Sequence, residues 1–233
     1  MPYLPHHAFS IPEDGEQPIW RYLDVPRFLS LVQSSSLHFA RADKLGDPFE
    51  GSISAATFAN SIERVPSIAR AFQLKSAVNC WHMNRHESVA MWTLYGKSEM
   101  AIAVRSTVGR LIRALKVAQQ EVFIGVVSYI DYDEHAMNLE NHFRPLLCKR
   151  RSFMHEQELR AITVFPAPAG TWDNANNPEG QLVPVDVNEL IESVYVAPQA
   201  PTWFASTIAE TLRRLAFVKL SVRQSRIDED PMF

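Results

Sequence analysis

Residues 149–165 read KRRSFMHEQELRAITVF, and within them Glu156, Glu158 and Arg160 alternate with Gln157, Leu159 and Ala161. On a strand, successive side chains point to opposite faces, so this spacing places both carboxylates and the guanidinium on one face and Leu159 on the other. On a helix, Glu156 and Arg160 would form an ordinary i,i+4 pair in water. The apolar run 161–165 that follows suits a strand, and the extended reading gives residues 158–165 a polar face that opens into a site.

Working outward, residues 18–23 form an aromatic-rich stretch suited to a strand. Asp24 stands as a helix N-cap with Pro26 in the first turn, ahead of Phe28, Leu29, Leu31 and Val32 at helical spacing. Residues 37–40 read as a second strand, 54–72 as mostly helical with a break at Pro66, and 77–81 as a buried strand. The run 87–95 has helix length and stops at Gly96. Residues 100–104 alternate into a strand, and Thr107 can cap the amphipathic helix carrying Val108, Leu111, Ile112 and Leu115. Residues 122–129 are the most strand-like in the chain. Residues 133–151 are loosely helical, 166–180 form a polar loop, and 183–187 and 194–196 read as short strands. A helix over 202–216 capped by Thr202 and a strand over 218–222 complete the pattern. Strands and helices intermix without a βαβ beat or a repeat, which predicts an α+β fold with a mixed or largely antiparallel central sheet flanked by helices. The expected organisation is a flexible Pro-rich leader (1–17), a single domain (18–223) and a C-terminal tail (224–233).

The 233 residues are 46% hydrophobic and 21% charged, an ordinary globular balance. A formal net charge of −3 supplies no basic excess for holding a phosphate backbone, and Lys149-Arg150-Arg151 is a short patch, so nucleic acid is not an expected partner. Cys80 and Cys148 cannot build a disulfide framework, which suits a reducing compartment. The N-terminal stretch lacks a signal-peptide apolar run, and nothing approaches a bilayer-spanning length; the expected location is cytoplasmic, without membrane contact.

Several segments could carry chemistry. Asp47-Pro48-Phe49-Glu50 matches a capping box, in which both acids would satisfy backbone N–H groups. Gly51 argues against a smooth helix there and leaves open a loop that projects Glu50 into a pocket. His82 and His86 stand four apart, with Cys80 nearby, but the segment crosses from strand to helix and lacks the HExxH order, so no metal is assigned. Ser88, Trp92 and Tyr95 fall on one helical stripe, either as aromatic core or as a stacking wall for a ring-shaped ligand. Arg21, between Trp20 and Tyr22, either snorkels to water or is held by a carboxylate such as Glu156 or Glu158. No P-loop, Gly-rich dinucleotide loop or GxSxG elbow occurs.

Taken in order, Arg21-Tyr22, Asp47-Pro48-Phe49-Glu50-Gly51, Cys80-Trp81, Met91-Trp92-Thr93-Leu94-Tyr95-Gly96 and Lys149…Phe153…Glu156-x-Glu158-x-Arg160 resemble the motif set of a widespread bacterial and phage family of unknown function. Gly46 stands where that family usually has Asn. The resemblance spans about residues 19–222. More weakly, a basic residue on the first strand with a late Glu-x-Glu is similar to ADP-ribosyltransferases. That similarity implies NAD+ as substrate, Arg21 as its anchor, Tyr95 or Trp92 as a stacking partner, Glu158 as the catalytic carboxylate and Glu156 as the group that activates the nucleophile. The Ser-Thr-Ser type strand of those enzymes has Asn79-Cys80-Trp81 in its place.

The functional expectation is therefore a polar pocket with Glu158 and Glu156 as catalytic groups and Arg21, Tyr22, Asp47, Glu50, Trp92, Tyr95 and Arg160 as small-molecule ligand contacts. The enzyme reading wants Glu158 in a cleft shared with Arg21. A non-catalytic binding or interaction protein, in phage defence or regulation, would instead lock the acids and Arg160 into a closed salt-bridge network. A metal-dependent nuclease would need a metal between Asp47, Glu50, Glu156 and Glu158.

Overall fold

The computed structural model describes residues 3–7, 9–60, 65–96, 98–166, 177–229 and 231. In chain order, its first half runs β1 (Pro18–Leu23), α1 (Val25–Ser34), β2 (Ser36–Arg41), α2 (Ala55–Ala59), α3 (Val65–Lys75), β3 (Ser76–Met83) and α4 (Val89–Met91), then β4 (Ile102–Thr107) and α5 (Val108–Ala114). The second half runs β5 (Phe123–Val126), β6 (Ser128–Ile130), β7 (Cys148–Arg150), β8 (Glu158–Val164), β9 (Gly180–Pro184), α6 (Val187–Leu190), β10 (Ser193–Val196), α7 (Thr202–Arg214) and β11 (Ser221–Gln224). Strand pairing is mostly antiparallel and helices flank it, so the fold is the expected mixed α+β type. No described helix is long and apolar enough to cross a membrane.

The chain divides into two compact units. The first comprises Met1–Ile11, His38–Cys80 and Gln119–Val183; the second comprises Pro12–Leu37, Trp81–Ala118 and Pro184–Phe233. In the first, β2 pairs antiparallel with β3 (Ala40 opposite Val78), β8 pairs with β3 and β5, and β6 pairs parallel with β7. Phe9, Val78, Leu146, Leu147 and Ile162 form its core, with Phe72, Phe123 and Phe143 packed against them. Residues of the expected leader take part: Tyr3 bridges to Val122, and Phe9 is buried.

In the second unit, β1 runs antiparallel to β4 over its whole length, β4 to β10, and β10 lies parallel to β11. Asp24 caps α1 as expected: its carboxylate accepts the Arg27 N–H at 2.8 Å, and Phe28, Leu31 and Val32 turn the helix's apolar stripe inward.

Four sequence expectations need correction. Residues 133–151 are not helical: Pro145 admits only a short 3₁₀ turn (Arg144–Leu147), and the buried run ending at Cys148 passes straight into β7. The 122–129 run is two strands, split where the Val127 N–H turns to the Glu158 carbonyl at 2.9 Å. Thr202 does not cap α7. Pro201 takes the cap position and no side chain caps the helix, while Phe204, Ile208 and Leu212 bury its inner face. Val218 is 72% exposed, and the last strand begins at Ser221. Most of the expected loop over 166–180 lies outside the described residues.

Candidate functional site: a buried carboxylate cluster

The polar face expected on 156–160 is built differently from a simple strand alternation. Glu156 ends a 3₁₀ turn (Arg151–Glu156), and Gln157 takes a left-handed conformation (φ 41°) before β8 begins at Glu158. Glu158 and Arg160 then share one face of β8, and Glu156 reaches the same place through the turn.

The group on which they converge is Lys149, at the centre of β7. Its Nζ lies 2.5 Å from Glu156 Oε2, 3.2 Å from Glu50 Oε1 and 3.5 Å from Glu158 Oε2. Arg160 bonds Glu158 Oε2 at 2.8 Å, pairs with Glu50 through the same Nη2, and donates to the Leu146 carbonyl at 2.7 Å. Lys149, Glu50, Glu156, Glu158 and Arg160 are each at most 5% exposed.

Charges this deep in protein survive only when paired. Burial pushes the Glu158 carboxyl up, but Arg160 and Lys149 beside it outweigh that and hold it at about 2. Burial would lower Lys149, yet Glu158 and Glu50 more than reverse this and leave its ammonium harder to deprotonate than usual. The Cys80 thiol is pushed well up by burial and then by Glu158, so it stays protonated. Tyr129 accepts the Glu158 N–H at 2.8 Å, and burial raises its phenol.

Two further segments complete the cluster. The 47–50 loop is a turn and not a helix. Asp47 Oδ1 accepts the Phe49 N–H at 3.1 Å, the Asp47 carbonyl accepts the Glu50 N–H at 3.0 Å, and Gly51 follows at φ 76°. The turn projects Glu50 inward. A Cβ on Gly51 would stand 2.9 Å from Gln73 Cγ and 3.1 Å from Leu146 Cδ2, and Gln73 itself donates to the Glu50 carbonyl at 2.6 Å. Asp47 is held bidentately by Arg150, at 3.1 Å through Nε and 2.8 Å through Nη2. The Arg150 guanidinium lies over Phe49 at 4.5 Å and Phe153 at 5.4 Å, and Phe153 also covers Lys149 Nζ at 4.8 Å.

The first unit thus brings Asp47, Glu50, Glu156, Glu158 and Arg160 together. Sequence reading did not assign Lys149 and Arg150 to the site, because they sat in a short basic run. A signal was present in the buried Leu146-Leu147-Cys148 stretch, which leaves a following lysine on a half-buried strand. Among the described residues no three His, Cys, Asp or Glu side chains are grouped to hold a metal ion, and the point between the carboxylates that a nuclease ion would want is taken by Lys149 Nζ.

Arg21, Tyr22, Trp92 and Tyr95 belong to the second unit. Arg21 lies on β1 opposite Val104. The Tyr22 hydroxyl accepts the Ser88 N–H at 2.9 Å, and its ring meets Trp92 edge-on at 5.0 Å. The expected regular helix through this stretch is replaced after Met91 by a five-residue π turn (Trp92–Gly96). Trp92 is buried there, whereas Tyr95 is 39% exposed.

No protein-family model matches the chain, and no curated protein sequence matches it; the resemblance to a bacterial and phage family therefore rests on the motifs alone. Among solved structures, the chain is similar to Thermus sp. 2.9 DarT in complex with carba-NAD+, at 10% identity over 93% of this chain and 98% of that one, with a TM-score of 0.46. It is similar also to the same protein in complex with NAD+ (10% identity, 93% and 98% covered, TM-score 0.41) and with ADP-ribosylated ssDNA (10%, 93% and 97%, TM-score 0.43). At such identities and TM-scores these likenesses carry no argument about the chemistry of this chain.

Proposed function

We propose that the chain is an ADP-ribosyltransferase-like or NAD glycohydrolase enzyme that uses NAD+ as substrate, with Glu158 as the carboxylate facing the ribosyl cation. The charge balance of the buried cluster supports this reading. Three carboxylates, Glu50, Glu156 and Glu158, meet two cations, Lys149 and Arg160, which leaves one negative charge unmatched in a water-poor setting. Breaking the nicotinamide–ribose bond sends the bonding electron pair out with neutral nicotinamide and leaves an oxocarbenium-like cation. A fixed carboxylate that is ionised at neutral pH stabilises such a cation far better than solvent does. Bonding of an incoming oxygen to the anomeric carbon releases a proton, for which Glu156 is the acceptor once its contact with Lys149 loosens. Arg21, Trp92 and Tyr95 enter the proposal as nucleotide contacts through the sequence resemblance only.

A second reading is favoured by the closure of the network. Each charged group of the cluster already has a partner, and none is more than 5% exposed. That is the arrangement of a non-catalytic protein whose acids and bases hold the sheet together.

The two readings separate in one assay. Nicotinamide release from NAD+ is followed with water, protein side chains or single-stranded DNA as acceptor, for the intact chain and for Glu158→Gln. The enzyme reading expects turnover that the variant loses while it stays folded. Retained turnover in Glu158→Gln removes Glu158 from its role, and no turnover or NAD+ binding by the intact chain leaves the structural network.

A further inference from the structure

Glu158 and Arg160 are buried, so a ligand reaches them only when something that covers their face of β8 leaves. The N-terminal segment supplies part of that cover through one ring. In the ladder between β5 and β8, Gly125 stands opposite Arg160 and Phe123 opposite Ile162. Directly opposed residues of an antiparallel pair project to one face, as do residues two apart on a strand. Phe123, Gly125, Glu158, Arg160 and Ile162 therefore share a face.

Phe9 lies on that face. A Cβ at Gly125 would stand 2.8 Å from Phe9 Cδ1, so the absence of a side chain there is what lets the ring settle on the strand. The ring stacks on Phe123 at 5.4 Å between centroids and meets Phe143 at 5.0 Å, which makes an aromatic slot with a phenyl group in it. The segment that delivers this ring is tied to β5 near its two ends: the Leu4 N–H donates to the Val122 carbonyl at 3.1 Å, and the Ser10 carbonyl accepts the Val126 N–H at 2.9 Å. His6 leans edge-on against Phe123 and Phe143, while Pro5, His7 and Ser10 are exposed. A short segment held by one buried ring and a few backbone bonds belongs to the part of a fold that opens locally at least cost.

The same face carries an unmet donor. Arg160 is fully buried, and among the described residues its Nε–H has no hydrogen-bond acceptor, although folded proteins satisfy nearly all such groups. A phenyl ring offers it nothing. A planar ring with a carboxamide offers an oxygen, and a pyridinium gains from the faces of Phe123 and Phe143. Glu158 stands two residues along the strand, about 6.6 Å away, so a ribose attached to such a ring faces its carboxylate.

We infer that the N-terminal segment is a clasp, in which Phe9 fills an aromatic slot that takes the planar pyridinium ring of NAD+ when the segment lifts from β5. The inference rests on the NAD+ reading for its ligand, and on the strap geometry alone for the movement.

The test compares two adjacent amides of the intact chain by native-state hydrogen exchange. The Val126 N–H is bonded to the strap, and the Val127 N–H to the Glu158 carbonyl of β8. Corrected for intrinsic rates, Val126 exchanges at least about tenfold faster than Val127, and saturating nicotinamide speeds Val126 further without moving Val127, because the ligand displaces the ring. Calorimetric titration supplies the second arm: Phe9→Ala binds nicotinamide about tenfold more tightly than the intact chain, and Phe9→Leu, which keeps the core filled if the alanine variant fails to fold, about threefold more tightly. Equal protection of the two amides, a Val126 rate that nicotinamide leaves unchanged, or an affinity that Phe9→Leu does not raise each overturns the clasp; NAD+ turnover by the intact chain in that case leaves the NAD+ reading standing. Tighter nicotinamide binding by the variants without NAD+ turnover by any of the proteins keeps the clasp and removes the enzyme reading.

Discussion

Glu158→Gln should cost stability in a manner that depends on pH. The carboxyl has an ordinary value of 4.5 and is held at about 2 in the fold. At 1.36 kcal/mol for each pH unit, that gap is worth roughly 3 kcal/mol of stability supplied by the ionised form. Solvent screening does not reduce it, since the group is buried. Because the folded value is depressed, the contribution is fully present above the unfolded value and disappears as pH falls from about 4.5 through about 2. Glutamine matches the protonated acid in shape and charge. Urea unfolding of both proteins should show a gap of roughly 3 kcal/mol near neutral pH, and this gap should close as the pH approaches 2. A gap that stays constant across the range would mean that the loss is one of packing. No gap at neutral pH would mean that Lys149 and Arg160 do not hold the carboxylate, and the proposed cluster chemistry would fail with it.

Other outcomes follow from single contacts. Gly51→Ala must hold φ 76° and push Gln73 or Leu146 aside, so its urea midpoint should fall by the equivalent of about 1–3 kcal/mol. Asp24→Ala removes a side-chain cap and should cost about 1 kcal/mol, whereas Thr202→Ala should cost under about 0.5 kcal/mol because no side chain caps α7. Arg150→Lys loses the bidentate hold on Asp47 and the contact with Phe49, and should cost about 1 kcal/mol by the same measurement. Cys148 should react with iodoacetamide only as the chain unfolds, since burial both hides the thiol and raises it, and half-buried Cys80 should react slowly because its thiol is held protonated; rapid alkylation of Cys148 in the native protein would contradict its placement.

Much of the fold was legible wherever one local signal agreed with the tertiary outcome. The Asp24–Pro26 start, the apolar spacing of Phe28, Leu31 and Val32, the aromatic-rich stretch of β1 and the β-branched end of β8 each state their element without help from distant residues. The 133–151 segment failed because its apolar residues serve long-range partners. The Met137 N–H donates to the Thr57 hydroxyl at 2.7 Å, and Tyr132 donates to the Cys148 carbonyl at 3.2 Å, so their spacing follows those contacts and not a helical period.

The site was legible as a set of acids but not as a mechanism of assembly, and the reason is Lys149. Alternation along 156–160 supposed that the strand alone aligns Glu156 with Glu158; the left-handed Gln157 breaks that alignment, and nothing local marks a glutamine for such a conformation. What draws Glu156 back is the same ammonium that receives Glu50 from a turn a hundred residues earlier and Glu158 from β8. A buried lysine beside three carboxylates keeps its proton, and with Arg160 it holds the Glu158 carboxyl ionised in the protein interior. Neutralising Lys149 would therefore do more than remove one pair: it would leave Arg160 as the cation inside the cluster facing Glu50 and Glu158, with Glu156 losing its bond to Nζ. The stability of the unit and the ionisation of Glu158 are for this reason linked in part through a residue that the alternating motif does not contain.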